Sequence, residues 1–137
     1  MIEIDADMES IITQALLLFV ATVNEDGTSE ISPNVSLSVI EKTLYFLNVT
    51  SSRTMLNLRL NPTVQIDVID IFRQRGYQFK GRASVLSSSE DEYLIIRDLV
   101  WSVKGADHPI DNILKIDTAS VEKLSLNKGG IIKFQEN

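Results

Sequence analysis

The chain has 137 residues, 44% hydrophobic and 23% charged, a balance that fits one globular domain with a real core. Thirteen basic residues against nineteen acidic ones give a formal charge of −6, which argues against long-range attraction to nucleic acid or anionic lipid. With no cysteine, disulfides, thiolate catalysis and cysteine-ligated metals are excluded.

Along residues 6–16, Met8, Ile11, Ile12, Ala15 and Leu16 recur at helical spacing behind a capping Asp5 or Asp7. The longest apolar run, 15–21, is too short to span a bilayer, and Glu3, Asp5, Asp7 and Glu9 precede it where a signal peptide is basic. A cytoplasmic protein is the expectation. A strand over 17–23 meets the turn Asn24-Glu25-Asp26-Gly27, and Asp-Gly predicts an antiparallel hairpin. The next strand, 28–40, alternates cleanly. Ile31, Pro33, Val35, Leu37 and Val39 share one face, read as core, and Glu30, Ser32, Asn34, Ser36 and Ser38 share the other. That second face is a row of small hydrogen-bonding groups, with few of the long charged side chains of a solvated strand. Pro33 has no N–H to donate, so the strand is expected to bulge or lie at an edge there.

Glu41-Lys42 turns the chain into a strand over 43–49 and a short helix over 52–60, which Asn61-Pro62 ends. Strands follow at 63–71 and 77–86, joined through Arg73-Gln74-Arg75-Gly76. Asp67 and Asp70, near strand ends, are expected at the surface. Ser87-Ser88-Ser89 with Glu92 reads as a capping box for a helix over 90–104, with Ile96, Leu99, Val100 and Val103 as its apolar stripe and Gly105 just past its end. Trp101 on that helix reads as packing. His108, the only histidine, falls in a loop and identifies neither a metal site nor a nucleophile triad. A final strand covers 113–126, and Gly129-Gly130 marks a break before a short segment that adds a strand or docks on a partner. Six strands with short turns and two or three peripheral helices predict a small antiparallel barrel in a single domain, 1–137.

One stretch carries chemistry. Thr50-Ser51-Ser52-Arg53-Thr54 lies where a strand gives way to a helix, and a phosphate there meets unpaired amides, helix dipole and guanidinium together. Hydroxyls and an arginine also cap ordinary helices, and the motif alone leaves both readings open.

The ordered set Phe-Val-Ala-Thr-Val (19–23), Glu-Asp-Gly-Thr (25–28), Ser-Pro-Asn-Val (32–35), Ser-Ser-Arg-Thr-Met-Leu-Asn-Leu-Arg-Leu-Asn-Pro (51–62) and Arg-Gly-Tyr-Gln-Phe-Lys-Gly-Arg-Ala (75–83) resembles the pyridoxamine 5′-phosphate oxidase-related, FMN-binding split-barrel family. The resemblance implies a mainly β fold, a six-stranded antiparallel split barrel with peripheral helices. It also implies a homodimer with FMN in clefts at the subunit interface. Position by position, it places Arg53 and Thr54, with Ser52, at the FMN phosphate. It sets Leu47 and Asn48 against the flavin, Ser32, Asn34 and Ser36 beside the ring, and Arg75-Gly76 approaching from the neighbouring hairpin. Many relatives carry a cation on the second strand near Asn34 to Ser36, and this chain has none there. No counterpart of the vitamin-processing oxidases' substrate-binding arginine is evident, which argues against pyridoxamine 5′-phosphate itself as substrate. The implied function is an FMN-dependent oxidoreductase acting on a small molecule, with no catalytic acid or base assigned and no metal. The alternatives are a non-catalytic flavin- or haem-binding module and a reductase of the same fold using F420.

Overall fold

The computed structural model describes residues 1–34 and 36–126 together with the backbone of 130–133. Asp5 caps α1 (Ala6–Gln14), its carboxylate accepting from the Met8 amide at 2.8 Å, and Met8, Ile11 and Ile12 form the helix's buried face. β1 (Leu18–Val23) and β2 (Ser29–Asn34) pair antiparallel around Asp26-Gly27, where Gly27 takes a φ of 87°. β3 (Leu37–Ile40) turns through Glu41 and Lys42, both left-handed, into β4 (Thr43–Leu47). Then come α2 (Ser52–Leu60), β5 (Thr63–Asp70), β6 (Arg75–Val85), α3 (Asp91–Lys104) and β7 (Ile113–Ser125), and a short β8 (Gly130–Lys133) pairs with β7.

The sheet is antiparallel throughout, in the order β2-β1-β5-β6-β7-β4-β3. Laid flat, the outer strands of such a path would stand about 29 Å apart, at about 4.8 Å per strand. Yet β2 ends at Asn34 and β3 begins at Leu37, a reach of at most about 11 Å of extended chain. The sheet must therefore curl until its two edges come close, and no ladder joins them. The result is a mainly β barrel with a split and three helices around it. The path holds seven strands where six were expected, because the span expected as one strand over 28–40 holds two, β2 ending at Asn34 and β3 beginning at Leu37, on opposite edges. Val35 lies outside the described residues.

Strand alternation sorts the core into two clusters. Leu44 and Phe46 of β4 face the barrel interior with Ile66, Val68, Tyr77 and Phe79, and α1 adds Met8 and Ile11. Tyr45 and Leu47, one residue out of step, face the other way and pack with Ile113 against Ile96 and Val100 of α3. Leu99 and Val103, expected in the same stripe, are exposed. The expected capping box is also absent. Glu90 is the N-cap residue, and Glu92 instead accepts from the Tyr45 hydroxyl and pairs with Lys115, both at 2.8 Å. Opposite the step between Lys80 and Gly81, Ala119 bulges from β7; a Cβ at Gly81 would run into the Asp117 carbonyl oxygen.

α1 is tied to the end of β6 by charge. Arg75 donates twice to the Asp7 carboxylate, both at 2.8 Å, and the buried Tyr77 donates its hydroxyl to the same group. Asp70, expected at the surface, is buried; it accepts from the Phe72 and Arg73 amides and pairs with the Arg73 guanidinium at 3.1 Å. Arg75 first and Tyr77 second hold the Asp7 carboxyl well below the usual carboxylate range. A pKa depressed by folding adds stability that is complete above the unfolded value, about 3.9, and is lost as pH falls through the folded one. Asp7→Asn is therefore expected to destabilise the protein at neutral pH. Solvent screening of two side chains each more than a third exposed limits the loss to about 0.5–1 kcal/mol. Urea unfolding of both proteins checks this. The gap should narrow below about pH 4, and a gap independent of pH would contradict the assignment.

Candidate functional site

β2 presents its polar face inward. Glu30, Ser32 and Asn34 are half-buried, while Ile31 is 63% exposed and Pro33 is exposed, the reverse of the expected core face. Two local facts explain the inversion. β2 is an edge strand, as Pro33 requires, and α2 covers its inner face with partners for hydroxyls. Ser32 Oγ lies 3.1 Å from Thr54 Oγ1, and Thr54 is 1% exposed. Beyond the break, Leu37 and Val39 do pack against the barrel core as expected.

The start of α2 is capped and also open. Ser51 Oγ accepts from the Thr54 amide at 3.2 Å, so a serine does cap this helix. The amides of Ser52 and Arg53 have no acceptor among the described residues, as the first turn of a helix dictates. Arg53 is exposed beside the β1–β2 turn, and its charge is a minor contributor to the lowered pKa of Asp26, behind the Thr28 hydroxyl and amide. Deeper along α2, the fully buried Asn57 donates to Thr22 Oγ1 and Asn24 Oδ1. Amides, hydroxyls and a guanidinium thus meet at one helix end.

At the split lies a cleft of about 590 Å³, within the range that small-molecule sites occupy. Of the residues singled out by sequence, Asn34, Ser36, Leu47 and Asn48 line it, with Thr50 leading toward α2. Its rims are held by side chains. Asn34 Oδ1 accepts from both the amide and hydroxyl of Ser36 at 2.7 Å, which fixes the turn between the sheet edges. Asn48 takes a left-handed φ of 57°, donates to the Pro109 carbonyl at 2.8 Å and accepts from the Asp111 amide at 2.6 Å. Ser52 lines a second cavity on another face of α2, of about 510 Å³, with Arg59 and Tyr93. Arg75 and Gly76 are not brought to the cleft within the chain. Arg75 is engaged by Asp7, and Gly76 lies so close to β5 that a Cβ would collide with the Val68 carbonyl oxygen. Among the described residues no cluster of His, Asp or Glu is placed to hold a metal, and no helix is long and apolar enough to cross a membrane.

Residues 4–125 match the family model described as pyridoxamine 5′-phosphate oxidase. The chain belongs to that family. Solved structures share the fold: HupZ from Group A Streptococcus at 24% identity and TM-score 0.74, with 89% of this chain and 94% of that one covered. The haem storage protein HutZ from Vibrio cholerae aligns at 14% identity and TM-score 0.67, covering 96% and 95%. A Clostridium acetobutylicum protein related to general stress protein 26 of B. subtilis, of the pyridoxine-phosphate oxidase family, aligns at 18% identity and TM-score 0.63, covering 93% and 92%. No curated protein matches the chain in sequence.

The lining also includes Lys104, the last residue of α3, and His108 in the loop after it, neither given a site role by sequence. Both reach the cleft because α3 packs on the outer face of β4, a long-range contact with no local signature. Trp101, expected only to pack, donates its indole N–H to the His108 carbonyl at 3.0 Å and so anchors that loop. In this member of the family, Asn48 is the other anchor. Asn48→Ala removes both of its bonds and leaves alanine in a left-handed conformation, an expected loss of about 1–3 kcal/mol. Asn48→Gly relieves the strain and still frees the loop. Hydrogen exchange at the Asp111 amide should quicken in both variants, and unchanged protection would contradict the clamp.

Proposed function

We propose that the cleft and the adjoining start of α2 bind FMN, and that the protein uses it as an oxidoreductase on a small molecule. The observation that carries this reading is the donor set. A cleft lined by no Asp or Glu, in a chain of charge −6, leads to a helix start with two free amides, the Ser32–Thr54 hydroxyl pair and Arg53. Such a set fits a phosphate-bearing ligand. Arg53, Thr54 and Ser52 would hold the phosphate, with Ser32 supporting Thr54. Asn34, Ser36, Leu47 and Asn48 would line the flavin, their polar groups already oriented by the bonds described above. Bound there, FMN would supply two-electron redox chemistry, and the chain would position it and limit its contact with water. Arg75 and Gly76 have structural duties in the chain and are left out of this grip.

The family's interfacial site fits the surface around the cleft. Leu17 lines both the cleft and an apolar groove with Leu16, Phe19, Ile69, Ile71 and Phe72, and Phe72 is 88% exposed. A second copy seated on that groove would put the cofactor between subunits. A second reading, haem, is favoured by one observation: the only histidine lines this cleft, and the structural neighbour HutZ is a haem storage protein. The visible spectrum separates the two, flavin bands against a Soret band.

Arg53→Ala should weaken FMN binding by about 1.5–3 kcal/mol, the value of a charge-assisted contact, in a fluorescence titration. Light scattering on the same samples should give the mass of a dimer. Unchanged affinity would move the phosphate elsewhere, and a monomer at micromolar concentration would contradict the shared cleft.

A further inference from the structure

The basic groups of the cleft come from one place in the chain. Lys104 ends α3, His108 follows in the next loop, and both line the cleft together with Asn34, Ser36 and Asn48. Lys104 has no ion-pair partner among the described residues, whereas Lys42, Arg73, Arg75, Lys80, Arg97 and Lys115 each stand against a carboxylate. A lysine at a helix C-terminus is favoured by the helix dipole, so its charge is well placed there. The approach is also fixed. The Gly105 amide closes α3 onto the Trp101 carbonyl with a φ of 99°, and the His108 amide bonds back to Gly105. The Trp101 indole and the Asn48 amide then hold the carbonyls of His108 and Pro109. The acids of the same loop, Asp107 and Asp111, do not line the cleft.

We infer that Lys104, with His108 beside it, forms an anion site at the α3 side of the cleft, and that its ligand is a small organic carboxylate bound next to the cofactor. One permanent positive charge, with no helix N-terminus at that side, suits a monoanion better than a phosphate dianion. Lys104 thereby supplies from α3 the cation that β2 lacks. The identity of the neighbour beside the carboxylate rests on the FMN reading; the anion site itself does not.

The sole histidine provides the readout, because its imidazole gives one resolved set of proton NMR signals. The full chain is titrated at constant pH with benzoate and with the neutral isostere benzamide, with and without FMN. Benzoate should shift the His108 signal saturably and benzamide should not. Lys104→Gln should weaken benzoate at least tenfold, and Lys104→Arg should restore most of the affinity. Equal shifts from both probes, no shift from benzoate, or a Lys104→Gln affinity equal to the parent's would overturn the site. A protein that binds benzoate through Lys104 yet refuses FMN would sink the cofactor reading alone. One that takes FMN with benzoate indifferent to Lys104 would sink the anion site alone.

Discussion

Two residues, 35 and 36, separate the opposite edges of the sheet, and the rest of the architecture depends on that short link. A seven-strand path cannot have its ends so close unless it curls. Without a ladder between β2 and β3, the curled sheet stays open at one seam. The cleft is that seam. Its walls are the last residues of β2, the first of β3 and the end of β4, and the Asn34 side chain fixes the crossing by accepting twice from Ser36.

Closure of this kind also explains why polar side chains gather where they do. An edge strand beside an open seam has one face that the barrel core does not fill, and α2 covers it with Thr54, while Asn57 bonds Thr22 of the neighbouring β1. Ser32 then has a hydroxyl partner, while Ile31 and Pro33 are left facing outward beside Phe19. The charge pattern follows the same geometry. α3 packs on the outer face of β4 and so delivers Lys104 and His108 to the seam, while Thr50 leads from the seam toward the start of α2. The residues lining the cleft include Lys104 and His108 and no Asp or Glu, in a chain whose net charge is −6.

Much of this was legible in the sequence, and the failures have identifiable causes. Asp5 as a cap, Asp26-Gly27 as a hairpin and Gly105 beyond α3 were readable because each depends on a few neighbouring residues. The pairing of Ser32 with Thr54 was not visible in either segment alone, since it joins residues far apart in the chain. The strand over 28–40 misled because its alternation is regular through Pro33, and nothing local announces that the chain changes edges after Asn34. Alternation also gives two faces without saying which is core. Glu92 was misassigned because a capping box and a carboxylate reaching Tyr45 and Lys115 look alike in sequence. Within the chain Arg75 meets Asp7 and Gly76 packs on β5, contacts that no local pattern around the two residues shows.

In the proposed function the seam holds a nucleotide flavin with its phosphate at the start of α2. Comparing FMN with riboflavin by calorimetry tests it most directly, since the two ligands differ only in the phosphate. FMN should bind at least tenfold more tightly, equivalent to about 1.4 kcal/mol, and this advantage should shrink in Arg53→Ala. Equal affinity for both ligands, or binding of neither, would contradict it.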